Sequence, residues 1–253
     1  MDKLWSSICQ HARSKPNEVA ILTFNKRLEN AMTWKQLHDQ ARSLAKRLRA
    51  DNIKLLAIQA DNSPAWIIAD VACSSVGIVA LPLPSFFSRG QVQHALNSLR
   101  VDAVLTDQAD ALLQSTGEQF SGDEELAGLR YLLAVKHGQD GDGNAALIPP
   151  NAQKITFTSG STGTPKGVCL SDENQEAVTD SLLEATASCA IERHLCVLPL
   201  ATLLENIAGV HAPLRRGAQV VVADEASLGF NGASGFALHA FLDVLSRCRP
   251  NSM

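Results

Sequence analysis

One short stretch carries residue types suited to a definite chemistry. From 158 to 167 the chain reads Thr-Ser-Gly-Ser-Thr-Gly-Thr-Pro-Lys-Gly. Gly160, Gly163 and Gly167 let the backbone turn freely and approach a ligand closely. Backbone N–H groups in such a loop form a nest for anionic oxygens. Ser159, Ser161 and Thr162 add hydroxyl donors. Lys166 adds a mobile positive charge, and Pro165 restrains the backbone just before it. The chemistry these groups share is the binding of a phosphate chain. The spacing excludes the loop of P-loop NTPases: four residues after Gly160 lead to Pro165 rather than Gly, and Gly167 follows Lys166 where Ser or Thr is required. A flexible linker also uses Ser and Gly. It has no need of Pro-Lys-Gly, nor of the β-type runs at 154–158 and 168–170 that flank this loop.

The elements that position the loop are legible around it. Thr33 reads as an N-cap with Gln36 completing a capping box, and Leu37, Ala41, Leu44, Ala45 and Leu48 follow at helical spacing. Residues 53–59 read as a buried strand. Ser63 and Pro64 then start a helix that runs to about Ser75, with Gly77 as its stop. Residues 78–81 read as the next strand. This is a β-α-β unit, and its two strands are expected to be parallel. The alternation continues. Helices are expected at 88–99, 172–190, 203–215 and 237–248, with strands at 101–106, 131–135, 154–158, 194–200 and 218–223. The polar stretch before 131 has room for a short helix, and 138–144 and 228–235 read as loops. The expected fold class is α/β: alternating βα units forming a mostly parallel sheet flanked by helices.

Composition narrows the function classes. The chain has 253 residues, 22 basic against 26 acidic, for a net charge of −4. That gives a nucleic-acid role no electrostatic support. Arg42, Lys46, Arg47 and Arg49 gather on one helix, but the opposite apolar stripe makes them a solvated face. The six cysteines are scattered without a Cys-x-x-Cys pair, which reads as reduced thiols in a cytoplasmic protein. The most apolar run, 67–87, is broken by Asp70, Gly77, Pro82 and Pro84, and is unsuited to span a bilayer. Asp140, Asp142 and Asn144 hint at a calcium loop, yet Ala145 and Asn151 stand where an EF-hand needs Gly and Glu. His194 and Cys196 alternate on a strand without a second pair to complete a zinc site.

The 158–167 motif, continued by Val168, resembles the phosphate-binding signature of the adenylate-forming superfamily: acyl-CoA synthetases, luciferases and nonribosomal adenylation domains. Other blocks agree in order. Thr33-Trp34-Lys35-Gln36-Leu37 with 44–48 resembles the family's N-terminal helix. Asn62-Ser63-Pro64 through Pro82-Leu83-Pro84 resembles its next core block. Leu198-Pro199-Leu200 with Glu205 and Gly217-Ala218 resembles the block after the loop, in its long-chain fatty-acyl form. Two positions depart from the family pattern, Asp172 and Thr202, where relatives often carry His.

The resemblance implies ATP-dependent carboxylate activation. An acyl adenylate forms, and a thiol, either coenzyme A or a carrier-protein thiol, then takes the acyl group. It implies that Thr158, Ser159, Gly160, Ser161, Thr162, Gly163, Thr164 and Lys166 contact the β- and γ-phosphates, with Lys166 and Thr162 catalytic. Ser161 would be a Mg²⁺ ligand, and Glu205 would face either the active site or solvent. The family's later motifs do not occur in these residues. The expectation is therefore that 1–253 is a partial N-terminal adenylation domain, inactive alone, of a fatty-acid-activating ligase. Two readings stay open beside it: a non-catalytic nucleotide- or acyl-binding relative, and an enzyme for aryl or amino acid substrates.

Overall fold

The structure, a computed structural model, describes residues 2–24, 29–135, 148–158, 166–231 and 235–253. Its helices are α1 (Lys3–Ser14), α2 (Trp34–Ala50), α3 (Pro64–Val76), α4 (Arg89–Leu99), α5 (Ala109–Thr116), α6 (Asp172–Ala185), α7 (Ala212–Arg216) and α8 (Leu238–Cys248). Its strands are β1 (Val19–Phe24), β2 (Glu29–Thr33), β3 (Leu55–Gln59), β4 (Val79–Pro82), β5 (Ala103–Thr106), β6 (Phe120–Leu126), β7 (Leu129–Ala134), β8 (Ala152–Thr158), β9 (Lys166–Ser171), β10 (Arg193–Leu195), β11 (Gln219–Ala223), β12 (Phe230–Asn231) and β13 (Gly235–Phe236). A π-helical segment, Glu205–His211, leads directly into α7.

Local chemistry starts these elements where the sequence places them. Thr33 Oγ1 accepts from the Gln36 N–H at 3.2 Å, and Gln36 Oε1 accepts from the Thr33 N–H at 2.8 Å, closing the box that opens α2. Ser63 Oγ accepts from the Trp66 N–H, and Gly77 ends α3 at φ 70°, a left-handed conformation that costs glycine little. At the end of α6, Arg216 donates to the carbonyls of Leu183, Thr186 and Cys189, satisfying acceptors the helix leaves open. This helix stops at Ala185, five residues short of the expected Ala190.

The alternating βα units fold into two sheets rather than one. A seven-stranded sheet runs β6-β7-β5-β3-β4-β8-β9, and a four-stranded sheet runs β10-β11-β1-β2. β3 pairs parallel with β4 and β5, and β4 with β8, as expected of β-α-β units. The edges are antiparallel: β5–β7, β6–β7 and β8–β9 in the large sheet, β1–β2 in the small one. β1, β2 and β6 had no counterpart in the sequence reading, and the 228–235 loop contains the short strand β12, which pairs with β13.

Side-chain alternation divides the core. On β3, Leu56 and Ile58 face helices α1, α2 and α3, while Leu55 and Ala57 face α4 and α5. On β11, Val220 and Val222 join the first group, whereas Val221 and Ala223 pack with α8. The result is five layers: α4 and α5, the large sheet, α1 to α3 with α7, the small sheet, then α8. Trp34 and Trp66, each fully buried, fill the central layer.

Candidate functional site

The glycine-rich loop is the connection of a β-hairpin. β8 enters it and β9 leaves it, paired antiparallel through Thr156↔Val168, Phe157↔Gly167 and Thr158↔Lys166. Directly opposed residues of an antiparallel pair point to one face, so Thr158 and Lys166 share a face at the mouth of the loop. Both are exposed, and Thr158 Oγ1 lies 3.5 Å from the Lys166 carbonyl. Across from Phe157, a Cβ on Gly167 would meet Ile155 Cγ2 at 3.2 Å, so the stem packs most closely with glycine there. A strand-to-strand connection differs from the strand-to-helix loop of P-loop NTPases, in line with the sequence exclusion. Of the sequence-predicted contacts, the structure brings Thr158 and Lys166 together. Ser159, Gly160, Ser161, Thr162, Gly163 and Thr164 lie outside the described residues, as do Pro165 and the calcium-like 140–144 stretch.

Behind the stem lies a buried polar network that sequence reading did not anticipate. Lys154, on β8, points inward and places its Nζ 2.7 Å from Asp70 Oδ1 of α3. It also donates to Asn206 Oδ1. Asn206 Nδ2 donates to Asp70 Oδ2 at 2.9 Å, and His211 Nε2 lies 2.9 Å from the same oxygen. All four residues are buried. Burial alone would raise the Asp70 carboxyl. The Lys154 ammonium and the His211 hydrogen bond outweigh it and hold Asp70 well below the usual carboxylate range. Burial lowers His211, with the Asp70 contact acting against it. The network clamps the strand that feeds the loop onto α3 and the π-helical segment. Its sequence signal is a charge inside an apolar run at Asp70; Lys154, on a strand that also carries Gln153, Thr156 and Thr158, gives none.

A second set of contacts joins two of the sequence blocks. Asn62 Nδ2 donates to the Leu198 carbonyl at 2.9 Å, and Asn62 Oδ1 accepts from the Leu200 N–H at 2.7 Å. From the other side, Glu205 Oε2 accepts from the Leu198 N–H at 3.0 Å. Glu205 is buried, so the solvent-facing alternative is corrected: the π-helical turn directs it inward. It meets His194 and Cys196 there, with one ligand atom from each of the three residues within 4.8 Å of the others. Beside β9, a cavity of about 380 Å³ opens between α6 and the π-helical segment, lined by Leu170, Val178, Leu182, Leu204 and Ile207 among others. Val178 and Leu204 are exposed.

Comparison with known proteins places this geometry. The family described as AMP-binding enzyme matches residues 8–248. The human long-chain-fatty-acid–CoA ligase 6 is 24% identical over 213 residues, covering 70% of this chain and 30% of the human protein. The crystal structure of a fatty acid AMP ligase from Legionella pneumophila superposes with a TM-score of 0.75 at 19% identity, covering 100% of this chain and 44% of that one. An o-succinylbenzoate coenzyme A synthetase from Bacillus subtilis, solved in complex with ATP and magnesium ion, gives 0.64 at 18% identity, covering 97% of this chain and 62% of that one. The chain thus spans less than two thirds of each of these relatives. Their likeness gives the fold, and the family match extends over both sheets, the hairpin and its buried clamp: the chain belongs to the AMP-binding enzyme family.

Proposed function

We propose that this chain supplies the phosphate-gripping part of an ATP-dependent ligase that converts a carboxylate to an acyl adenylate. The observation that carries the reading is the Thr158↔Lys166 pair, which fixes a hydroxyl and an ammonium on one exposed face at the two ends of a Gly/Ser/Thr loop. A hydroxyl and a lysine are a donor set that fits a polyphosphate. In this reading Thr158, Ser159, Gly160, Ser161, Thr162, Gly163, Thr164 and Lys166 hold the β- and γ-phosphates of ATP, and Ser161 ligates Mg²⁺. Lys166 and Thr162 neutralise charge as the carboxylate attacks the α-phosphate and pyrophosphate leaves. A thiol, of coenzyme A or a carrier protein, then takes the acyl group. The apolar cavity beside β9 supports an apolar substrate such as a fatty acyl chain over a polar amino acid. The free state of all six cysteines is in keeping with a reducing, cytoplasmic setting. We assign residues 1–253 to the front part of an adenylation domain, whose later motifs are absent from this sequence.

The test is calorimetric titration of the purified chain with ATP and Mg²⁺. Binding is expected, and Lys166→Ala is expected to weaken it at least tenfold, about 1.4 kcal/mol. Equal affinities for the two proteins would sink the assignment of the loop. Carboxylate-dependent ATP–pyrophosphate exchange is expected to be absent from this chain alone. A Lys166-dependent exchange signal would overturn the assignment of 1–253 as only part of the site.

A further inference from the structure

His194, Cys196 and Glu205 converge from two consecutive elements, β10 with the residue after it and the π-helical segment. His194 and Cys196 are two apart on and just beyond β10, so they point to the same side of the sheet. The π-helical segment sets Glu205 against them. All three are buried, Cys196 completely. His194 Nε2 and Glu205 Oε1 are 3.9 Å apart, beyond hydrogen-bond length. Ligand atoms about 2.0–2.3 Å from one tetrahedral zinc lie roughly 3.3–3.8 Å from each other, so the observed 3.9 Å is just wider than that range and closes with a small side-chain movement.

The surroundings hold each donor in place: Cys196 Sγ donates to the Gly209 carbonyl at 3.4 Å, a bond that a bound ion would replace. His194 Nδ1 lies 2.9 Å from Ser252 Oγ. The tautomer that donates this hydrogen bond leaves a lone pair on Nε2, the nitrogen 3.9 Å from Glu205 Oε1. Glu205 Oε2 is held by the Leu198 N–H, leaving Oε1 for the cluster. Such outer contacts fix a metal ligand's orientation. Gly209 makes the approach possible: a Cβ there would sit 2.2 Å from Glu205 Oε1 and 3.2 Å from Cys196 Sγ. A cavity also reaches the histidine edge of the cluster. His194 and Ser252 line a cavity of about 190 Å³ with Leu182, Leu183 and Ala208.

We propose that His194 Nε2, Cys196 Sγ and Glu205 Oε1 bind one divalent ion of the zinc class, with water as the fourth ligand. This site is separate from the glycine-rich loop and does not depend on its assignment. A thiolate and an imidazole select a borderline-soft ion over Mg²⁺. On binding, the Cys196 thiol releases its proton to solvent. Thiolate, carboxylate and neutral imidazole then leave the ion with no net charge in its first shell. The ion would tie β10 to the π-helical segment and so brace the Leu198–Leu200 turn.

The experiment is Co²⁺ titration of the metal-stripped protein, followed by absorption. The expected result is a thiolate-to-cobalt charge-transfer band that saturates at one equivalent, with one proton released, and that one equivalent of Zn²⁺ abolishes. Cys196→Ser is expected to remove the band, and Glu205→Gln to weaken binding at least tenfold. Ser252→Ala is expected to weaken it about 10- to 100-fold. Replacing the exposed Cys169 and Cys189 with Ser should change nothing. No band in a protein whose circular dichroism shows it folded would overturn the proposal. So would a band that survives Cys196→Ser, or that is lost with Cys169 and Cys189. Because the wild-type titration stands alone, the proposal remains testable if Cys196→Ser does not fold.

Discussion

Asp70 and Lys154 place opposite charges inside the molecule, where neither is tolerated alone. Their ion pair is nearly water-free, with side chains 2% and 3% exposed. Such a pair adds little net stability compared with apolar residues, but removing one partner strands the other. Asp70→Ala leaves the Lys154 ammonium buried with only Asn206 to receive it, and is expected to cost about 3–5 kcal/mol in urea unfolding. Adding Lys154→Met removes the stranded charge and should restore part of that loss. A double variant no more stable than Asp70→Ala would show that the charge is not what matters. The partners are spread from 70 to 211 along the chain, so no spacing rule announces them. What the sequence does display is one oddity, a carboxylate in the apolar helix α3; Lys154 sits on a strand of mixed polarity and does not stand out. The loop was the opposite case: its donors are consecutive, so their chemistry could be read before any fold was known.

Elements were legible where a local bond defines them. The capping box of α2, the serine and proline that open α3 and the glycine that ends it each act within a few residues, and each is in place. The stretch 203–215 reads as one helix because side-chain period does not separate an α-turn from the wider π-turn. The difference has consequences. In the π-helical segment Glu205, Asn206 and His211 are all buried, and Gly209 lies against Glu205. Gly209→Ala therefore sets two effects against each other. Alanine favours a helix by about 1 kcal/mol over glycine. The added methyl, 2.2 Å from Glu205 Oε1, must displace a carboxylate already held by the Leu198 N–H. Overpacking of this kind costs about 1–3 kcal/mol, and here the obstructing group has a bonded place to lose. Net destabilisation is expected, read as a lower urea midpoint. A midpoint equal to or above that of the parent would mean that Glu205 moves freely and braces nothing.

At the scale of the whole molecule, the alternation of strands and helices was enough for the α/β class. The division into two sheets was not readable, because β1 joins β11 across almost 200 positions (Ile21↔Val220) and local pattern carries no such information. The antiparallel edges escaped for the same reason. Where the two sheets meet, acidic groups are brought together, and stability acquires a pH dependence there. Asp61 follows the last residues of β3, and its carboxylate accepts from the N–H of Asn62 and of Glu225, just past β11. Burial raises its carboxyl to about 6, with the Glu225 and Asp224 carboxylates adding to the shift and the two N–H bonds opposing it. Its folded value exceeds the unfolded one near 3.8. The folded state therefore holds the extra proton between these two values, and the contribution of Asp61 to stability falls as pH rises through that window. Above about 6 the full penalty is present. Asp61→Asn keeps an acceptor oxygen and removes the charge. It is expected to be more stable than the parent by roughly 1 kcal/mol at pH 7, a figure reduced for partial solvent screening. That advantage should shrink on acidification and vanish near pH 4. His211 and Asp70 work in the other direction, since both are held below their unfolded values and lose their contribution as pH falls. Taking the difference between variant and parent at each pH cancels those groups and isolates Asp61. Urea midpoints measured from pH 4 to 8 decide the matter: a difference that does not change with pH would show that Asp61 is not strained where the two sheets meet.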